Sequence, residues 1–140
     1  MKERTLLIIK PDSIEKRVAG NILARVEKEG FDITAMKMLH LTRTQAGDFY
    51  AVHKEKPFYG PLLDFMTSGR VVVARIERDN AVEKWREVIG STDPKKAAPG
   101  TIRALYGESI ERNAVHGSDS VENGRIETDF FFPVLDSYTF

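Results

Sequence analysis

The order of apolar runs and helical stripes along this chain predicts an α+β fold: a ferredoxin-like (split βαβ) antiparallel four-stranded sheet with an inserted helical hairpin and a C-terminal helix. Three observations carry that prediction. Residues 5–9 and 71–76 are short apolar runs, as strands covered on both faces require. Helical stripes follow them at 14–26 and 82–89, and each stripe ends at a glycine, Gly30 or Gly90, suited to a helix terminus. Between the second strand and the run at 71–76, two breaks at Pro57 and Gly60-Pro61 leave room for a pair of short helices.

In order, the first strand covers 5–9 and is stopped by Pro11, which leaves Lys10 at its C-terminal end. One helix is expected from 14 to Gly30, with Ile14, Val18, Ile22, Leu23 and Val26 on one stripe. Phe31, Ile33 and Ala35 then alternate with polar residues, while Met36, Met38 and His40 fall on the opposite phase. That change of phase marks a long strand with a bulge or with cover on both faces, and His40 reads as structural.

Thr42 with Gln45 forms a capping box for a helix that places Ala46, Phe49, Tyr50 and His53 on one face. Pro61 at a first helical position and Gly69 past the end bound a second helix carrying Leu62, Leu63, Phe65 and Met66. After the strand at 71–76, Asn80 and Glu83 read as another capping box, with Val82, Trp85 and Ile89 on a buried stripe and Arg86 at its flank. Residues 90–111 show no periodicity and carry Pro94, Pro99, Gly100 and Gly107, a loop longer than the usual ~12–15 residues and for that reason read as functional. A short strand at 113–115 follows, then a helix capped by Ser118 or Asp119, with Glu122 completing a box, and an aromatic tail of Phe130, Phe131 and Phe132.

A chain of 140 residues is expected to be one domain, 1–140, with a real core. Its 21 basic and 21 acidic residues cancel, so strong nucleic-acid binding is not expected and any anion site must be local. The absence of Cys excludes disulfides and thiolate metal sites. With no signal peptide and no apolar run of membrane-spanning length, a soluble cytoplasmic protein without membrane contact is expected.

The stretch Arg-Asn-Ala-Val-His-Gly-Ser-Asp-Ser-Val-Glu at 112–122 sets His116 between a strand and a helix start, where helix amides attract anions and imidazole is nucleophilic near neutral pH. A strand-end His before Gly also fits a plain turn residue. The chain has neither a Gly-x4-Gly-Lys-Ser/Thr loop nor a Gly-x-Gly-x-x-Gly turn, so a bound phosphate must be held by side chains. Lys10, Arg86, Thr92 and Arg103 are the candidates, arginine being favoured by its fork of donors; each, taken singly, also fits a solvated surface position.

Four segments go further. Ile9-Lys10-Pro11-Asp12, Lys56-Pro57-Phe58-Tyr59, Pro99-Gly100-Thr101-Ile102-Arg103 and Asn113-Ala114-Val115-His116-Gly117-Ser118-Asp119-Ser120 closely resemble the nucleoside diphosphate kinase family, in register from about residue 4 to 132. The resemblance implies a ping-pong enzyme in which His116 takes the γ-phosphoryl of a nucleoside triphosphate such as ATP and passes it to a nucleoside diphosphate. It implies that Lys10, Tyr50, His53, Arg86, Thr92 and Arg103 surround the phosphates or the nucleophile, with Arg86, Thr92 and Arg103 on the phosphates themselves. Lys10 and Asn113 match residues on the ribose hydroxyls, and Phe58 matches the aromatic on which the base stacks. Stacking tolerates every base, so ATP, GTP, CTP, UTP and their deoxy forms are implied as substrates. Ser118 matches a residue near the histidine, and Glu127 one that orients the imidazole through its non-phosphorylated nitrogen.

Mg²⁺ is implied as a cofactor carried mainly by the nucleotide phosphates, without a protein metal site, and the assembly is implied to be a homo-oligomer, tetramer or hexamer. The rival is a catalytically reduced regulatory or nucleic-acid-binding module on the same fold. The chain departs from the family pattern at Asp93, where Asn is common, at Arg70, at Ala104-Leu105, and at Asn123-Gly124 with Thr128 and Asp129. A mid-helix Gly costs about 1 kcal/mol relative to Ala and bears on whether Glu127 reaches His116.

Overall fold

The computed structural model describes residues 2–133; of the terminal stretch from Pro133, on which the motifs say little, 134–140 lie outside the described residues. Strand β1 (Lys2–Ile9) runs antiparallel to β3 (Val71–Asp79) over its whole length and, at its far end, to β4 (Val115–His116). On the other side β3 pairs with β2 (Asp32–Leu39), so the sheet order is β2-β3-β1-β4, the split βαβ arrangement. Of the two readings of the phase change in the second strand, a bulge or cover on both faces, the bulge is present, as a register shift between Ile33 and Ala35.

Both faces of the sheet are covered. Leu7 and Ile9 join Ile22 and Val26 of helix α2 (Ala19–Lys28) and Trp85, Val88 and Ile89 of helix α5 (Ala81–Ile89). Leu6 and Ile8 point the other way, into Ala46 of helix α3 (Arg43–Phe49), Leu63 and Met66 of helix α4 (Tyr59–Met66) and Phe131 of helix α7 (Val121–Phe131). All four β1 side chains are fully buried. At roughly 1.5–3 kcal/mol each, they make β1 the rigid axis at whose end the site is built.

Several expectations change. The single helix from 14 to 30 is two: helix α1 (Pro11–Glu15) ends as Arg17 turns left-handed at φ 62°, with Val18 N–H on Ser13 O and Arg17 N–H on Ile14 O, before α2 begins. The stripe continues across the break, so periodicity alone did not reveal it. Helix α4 starts at Tyr59 rather than at Pro61, which is tolerated inside the first turn because an N–H there has no intrahelical partner. Asn80 and Glu83 form no capping box, since Asn80 is left-handed at φ 56°; Glu3 of β1 accepts the Val82 N–H instead.

The long segment after Gly90 contains a 3₁₀ turn (Pro94–Lys96) and helix α6 (Ile102–Tyr106), too short for a periodic signal. The last strand is 115–116, not 113–115, because Ala114 is left-handed at φ 77°. The cap of α7 is Ser120, which accepts from Asn123 N–H, and not Ser118 or Asp119, so the Glu122 box is not formed. Gly124 has a packing reason: a Cβ there would run into the carbonyl oxygen of Arg4, so its absence lets α7 lie directly on β1.

Candidate active site

The antiparallel register puts His116 opposite Ile8 and Val115 opposite Ile9, so the ends of β1 and β4 open together on a cleft of about 1510 Å³. Every site residue expected from the sequence lines it except Ser118, which lies directly behind. Lys10, one residue beyond β1, is nearly buried at 9% exposure, and its Nζ donates to Asn113 Oδ1 at 2.8 Å. Asn113 Nδ2 donates in turn to the Thr92 carbonyl at 3.1 Å. Arg103, on α6, is also buried and ties three chain segments together, donating to the carbonyls of Gly90 (3.0 Å), Asn113 (3.3 Å) and Val115 (2.9 Å). A guanidinium has five N–H groups, so some remain for a ligand.

His116 Nε2 lies 2.7 Å from Glu127 Oε1, and both side chains are 20% exposed. The neutral tautomer with Nε2–H donating to the carboxylate leaves the Nδ1 lone pair available. Ser118 Oγ donates to the same carboxylate oxygen at 2.8 Å while accepting Leu6 N–H at 3.1 Å, so β1 holds Ser118, Ser118 holds Glu127, and Glu127 orients the ring. The ring's edge packs on Phe49, 5.8 Å between centroids. From behind, Trp85 Nε1 reaches the His116 carbonyl at 3.4 Å. Gly124, whose lack of a Cβ seats α7, is what brings Glu127 within reach.

Burial, and then the charge of Arg103, push the Lys10 ammonium down to about 8. Burial and then Arg86 push Arg103 down to about 10. Tyr50 is raised by burial and by the Glu127 charge, which keeps its phenol protonated. Two cations lowered by desolvation and by a neighbouring cation would both gain from a bound anion, even though Asp12 and Glu111 offset part of the shift at Lys10.

The opposite wall is built differently. Phe58 is 47% exposed on the cleft, its ring tilted against His53 with centroids 5.2 Å apart, and His53 stacks on Tyr50 at 6.5 Å. Arg86 and Thr92 are exposed at the rim. His40 is structural, with Nε2 2.8 Å from the Thr67 carbonyl. Asp93 does not line the cleft; its Oδ1 accepts from Lys95 N–H and caps the 3₁₀ turn. Of the other departures, Thr128 is buried with its hydroxyl on the Gly124 carbonyl, and Asp129 pairs with Arg4.

Sequence reasoning missed Leu62, which lines the cleft one helical turn after Phe58, a spacing that signals a shared face. It also missed Asp12, fully buried and bonded to the backbone two residues before His116. Among the described residues no group of three or more His, Asp or Glu is placed to hold a metal ion, and no helix is long and apolar enough to cross a membrane.

Residues 3–136 match the family model for nucleoside diphosphate kinase. The nucleoside diphosphate kinase of Chlamydia abortus is 60% identical over 134 residues, covering 96% of this chain and 95% of that protein, and the one from Paracidovorax citrulli is 57% identical over 136 residues, covering 97% and 96%. Among solved structures, the nucleoside diphosphate kinase of Aquifex aeolicus superposes with a TM-score of 0.95 at 46% identity, covering 98% of this chain and 99% of that one. The halophilic enzyme from Halobacterium salinarum in complex with CDP gives 0.95 at 34% identity, covering 100% and 93%.

Proposed function

We propose, for a chain that belongs to the nucleoside diphosphate kinase family, that His116 carries the phosphoryl group in the family's ping-pong transfer from a nucleoside triphosphate to a nucleoside diphosphate. The observation that carries this assignment is the His116 Nε2 to Glu127 contact at 2.7 Å inside a cleft that also holds Lys10, Arg86 and Arg103. With Nε2–H held by the carboxylate, Nδ1 is the attacking atom. A bond forms from Nδ1 to the γ-phosphorus as the bond from that phosphorus to the bridging oxygen breaks, and the electron pair leaves on the nucleoside diphosphate. The second nucleoside diphosphate reverses the step and restores the neutral ring.

The remaining roles are those the family resemblance implies, and the chemistry of each group suits them. Arg86, Arg103 and Thr92 take the phosphate oxygens, where charge-assisted bonds strengthen as charge develops. Lys10 and Asn113 take the ribose hydroxyls, and their mutual bond sets the spacing before a sugar arrives. Phe58 is the stacking face for the base, with Leu62 extending it. Tyr50 and His53 pack the side of the cleft next to the nucleophile.

Enzymes of this family generally need a divalent metal ion. The ammonium, guanidinium, amide and hydroxyl groups here suit phosphate oxygens; the Glu127 carboxylate is engaged by His116 and Ser118, and the other lining carboxylates, Glu83, Glu87, Glu111 and Asp119, form no cluster of three placed to hold a metal ion among the described residues. Mg²⁺ bound to the nucleotide phosphates fits that set and supplies further charge neutralisation. The same reading makes the chain one domain acting in the cytoplasm as a tetramer or hexamer, which size-exclusion with light scattering distinguishes.

The test is intact-mass spectrometry after mixing with ATP and Mg²⁺ without an acceptor. One phosphoryl adduct, labile to acid, discharged by added nucleoside diphosphate and absent in His116→Ala, is expected. An adduct that survives His116→Ala refutes the assignment.

A further inference from the structure

The residues just before His116 adopt a conformation that a non-glycine residue does not hold unaided. Ala114 stands at φ 77°, and the Val115 N–H bonds back to the Asn113 carbonyl at 2.9 Å, closing a positive-φ γ-turn around it. Such a turn leaves the central residue's own N–H and carbonyl pointing outward. Both are captured by one short segment of the opposite strand end: Asp12 Oδ2 accepts Ala114 N–H at 3.0 Å, while the Ala114 carbonyl accepts from Lys10 N–H and from Ser13 Oγ, each at 3.0 Å. The turn is fully buried, as are Asp12 and Ser13.

Asn113, at the turn's start, keeps its own side-chain bonds to Lys10 Nζ at 2.8 Å and to the Thr92 carbonyl at 3.1 Å, whereas His116, two residues past Ala114 and paired with Ile8, follows directly from the turn. The γ-turn therefore sets the backbone from which the nucleophile projects, while the Asn113 side chain has anchors of its own. Asp12 Oδ1, by contrast, is buried with no hydrogen-bond partner, a cost that a role in packing alone does not require. Burial also raises the carboxyl from its ordinary value, with the Ala114 N–H and the Lys10 charge acting against that rise.

Resting on the assignment of His116 as nucleophile, we propose that Asp12 is a positioning residue for phosphoryl transfer: through its bond to Ala114 N–H it holds the strained turn that aims His116 at the γ-phosphorus. Strained backbone persists only where its surroundings over-determine it, and here Asp12 supplies the single acceptor for the turn's outward N–H. The requirement is for an acceptor oxygen rather than a charge. Asp12→Asn keeps an oxygen for Ala114 N–H and puts an amide where Oδ1 stands alone, whereas Asp12→Ala removes the acceptor and frees the turn.

Rapid-quench measurement of His116 phosphorylation by ATP and Mg²⁺, alongside calorimetric affinity for ADP, tests this. A misplacement near 1 Å costs on the order of 10²-fold in rate, so that loss is expected for Asp12→Ala, with ADP affinity held within about threefold. Asp12→Asn is expected to recover most of the rate. If Asp12→Ala does not fold, Ser13→Ala carries the test: it removes one of the two bonds to the Ala114 carbonyl and is expected to slow phosphorylation about tenfold at unchanged ADP affinity. No phosphorylation of the unsubstituted chain counts against His116 itself. A reactive unsubstituted chain overturns the role of Asp12 alone if Asp12→Ala, or Ser13→Ala in its place, reacts at the same rate. It does so equally if rate and ADP affinity fall together, or if Asp12→Asn is as slow as Asp12→Ala.

Discussion

The two sides of the cleft contrast in how their side chains are held. On the floor, Lys10, Asn113, Arg103, His116, Glu127 and Ser118 are buried or nearly so, and each is bonded to a named partner before any nucleotide arrives. On the rim and wall, Phe58, Arg86 and Thr92 stand exposed. The difference assigns labour. Under the proposed roles, the nucleophile and the groups that orient it are fixed in advance, which spares their reorganisation during transfer. The groups proposed to meet a variable base and an incoming polyphosphate are left freer to adapt.

Substituting one arginine from each side breaks that contrast most severely. Arg103→Ala is expected to lower kcat/KM by on the order of 10²-fold or more and also to destabilise the fold by on the order of 3 kcal/mol, because two buried carbonyls and one partly buried carbonyl lose their donor. Arg86→Ala is expected to cost on the order of 10²-fold in kcat/KM while leaving the melting temperature unchanged. Steady-state kinetics with thermal denaturation separates the two, and equal melting shifts erase the contrast.

Phe58→Ala addresses the wall. A loss of about 1–3 kcal/mol in nucleotide affinity is expected, similar for purines and pyrimidines, because every base offers a π-face. Affinities for ADP, GDP, CDP and UDP measured side by side check this, and a loss confined to one base indicates hydrogen-bond readout instead.

A smaller effect sharpens the electrostatics of the floor. In the free protein Lys10 sits near 8 because burial disfavours its ammonium. A bound polyphosphate favours the charged form and raises that value, so binding takes up protons, and affinity falls as pH rises above 8. Calorimetry at pH 8 in buffers of different ionisation heat is expected to show uptake of about half a proton, lost in Lys10→Gln.

What the sequence made legible follows the same division. The three long strands and the core they bury were readable because apolar period and length encode them, and the phase change in β2 narrowed its cause to a bulge or cover on both faces; β4, of two residues, is too short for either signal. The break at Arg17 was not, because the stripe of Ile14, Val18 and Ile22 continues across it. Neither was α6, whose five residues are too few for a period. The capping residues were misread at both Asn80 and Ser118, where contacts distant in sequence decide the outcome: Glu3 takes over the Val82 amide, and Thr5 and Leu6 draw Ser118 inward.

The site's membership was legible through the four motifs; its mechanics were not. Nothing in the spacing of His116 and Glu127 reveals that they meet at 2.7 Å, since that depends on Gly124 seating α7 against the Arg4 carbonyl. The exposed Arg86 and the buried Arg103 look alike in sequence, and only tertiary packing separates a side chain at the rim from a staple.

The central claim is that Glu127 holds His116 by Nε2 so that Nδ1 performs the attack, and heteronuclear NMR of the chain labelled with ¹⁵N-histidine tests it most directly. After ATP and Mg²⁺ are added, phosphorus coupling at Nδ1 of His116 is predicted, with Nε2 still carrying its proton toward Glu127. Coupling at Nε2, or on His40 or His53 with His116 unmodified, contradicts the account.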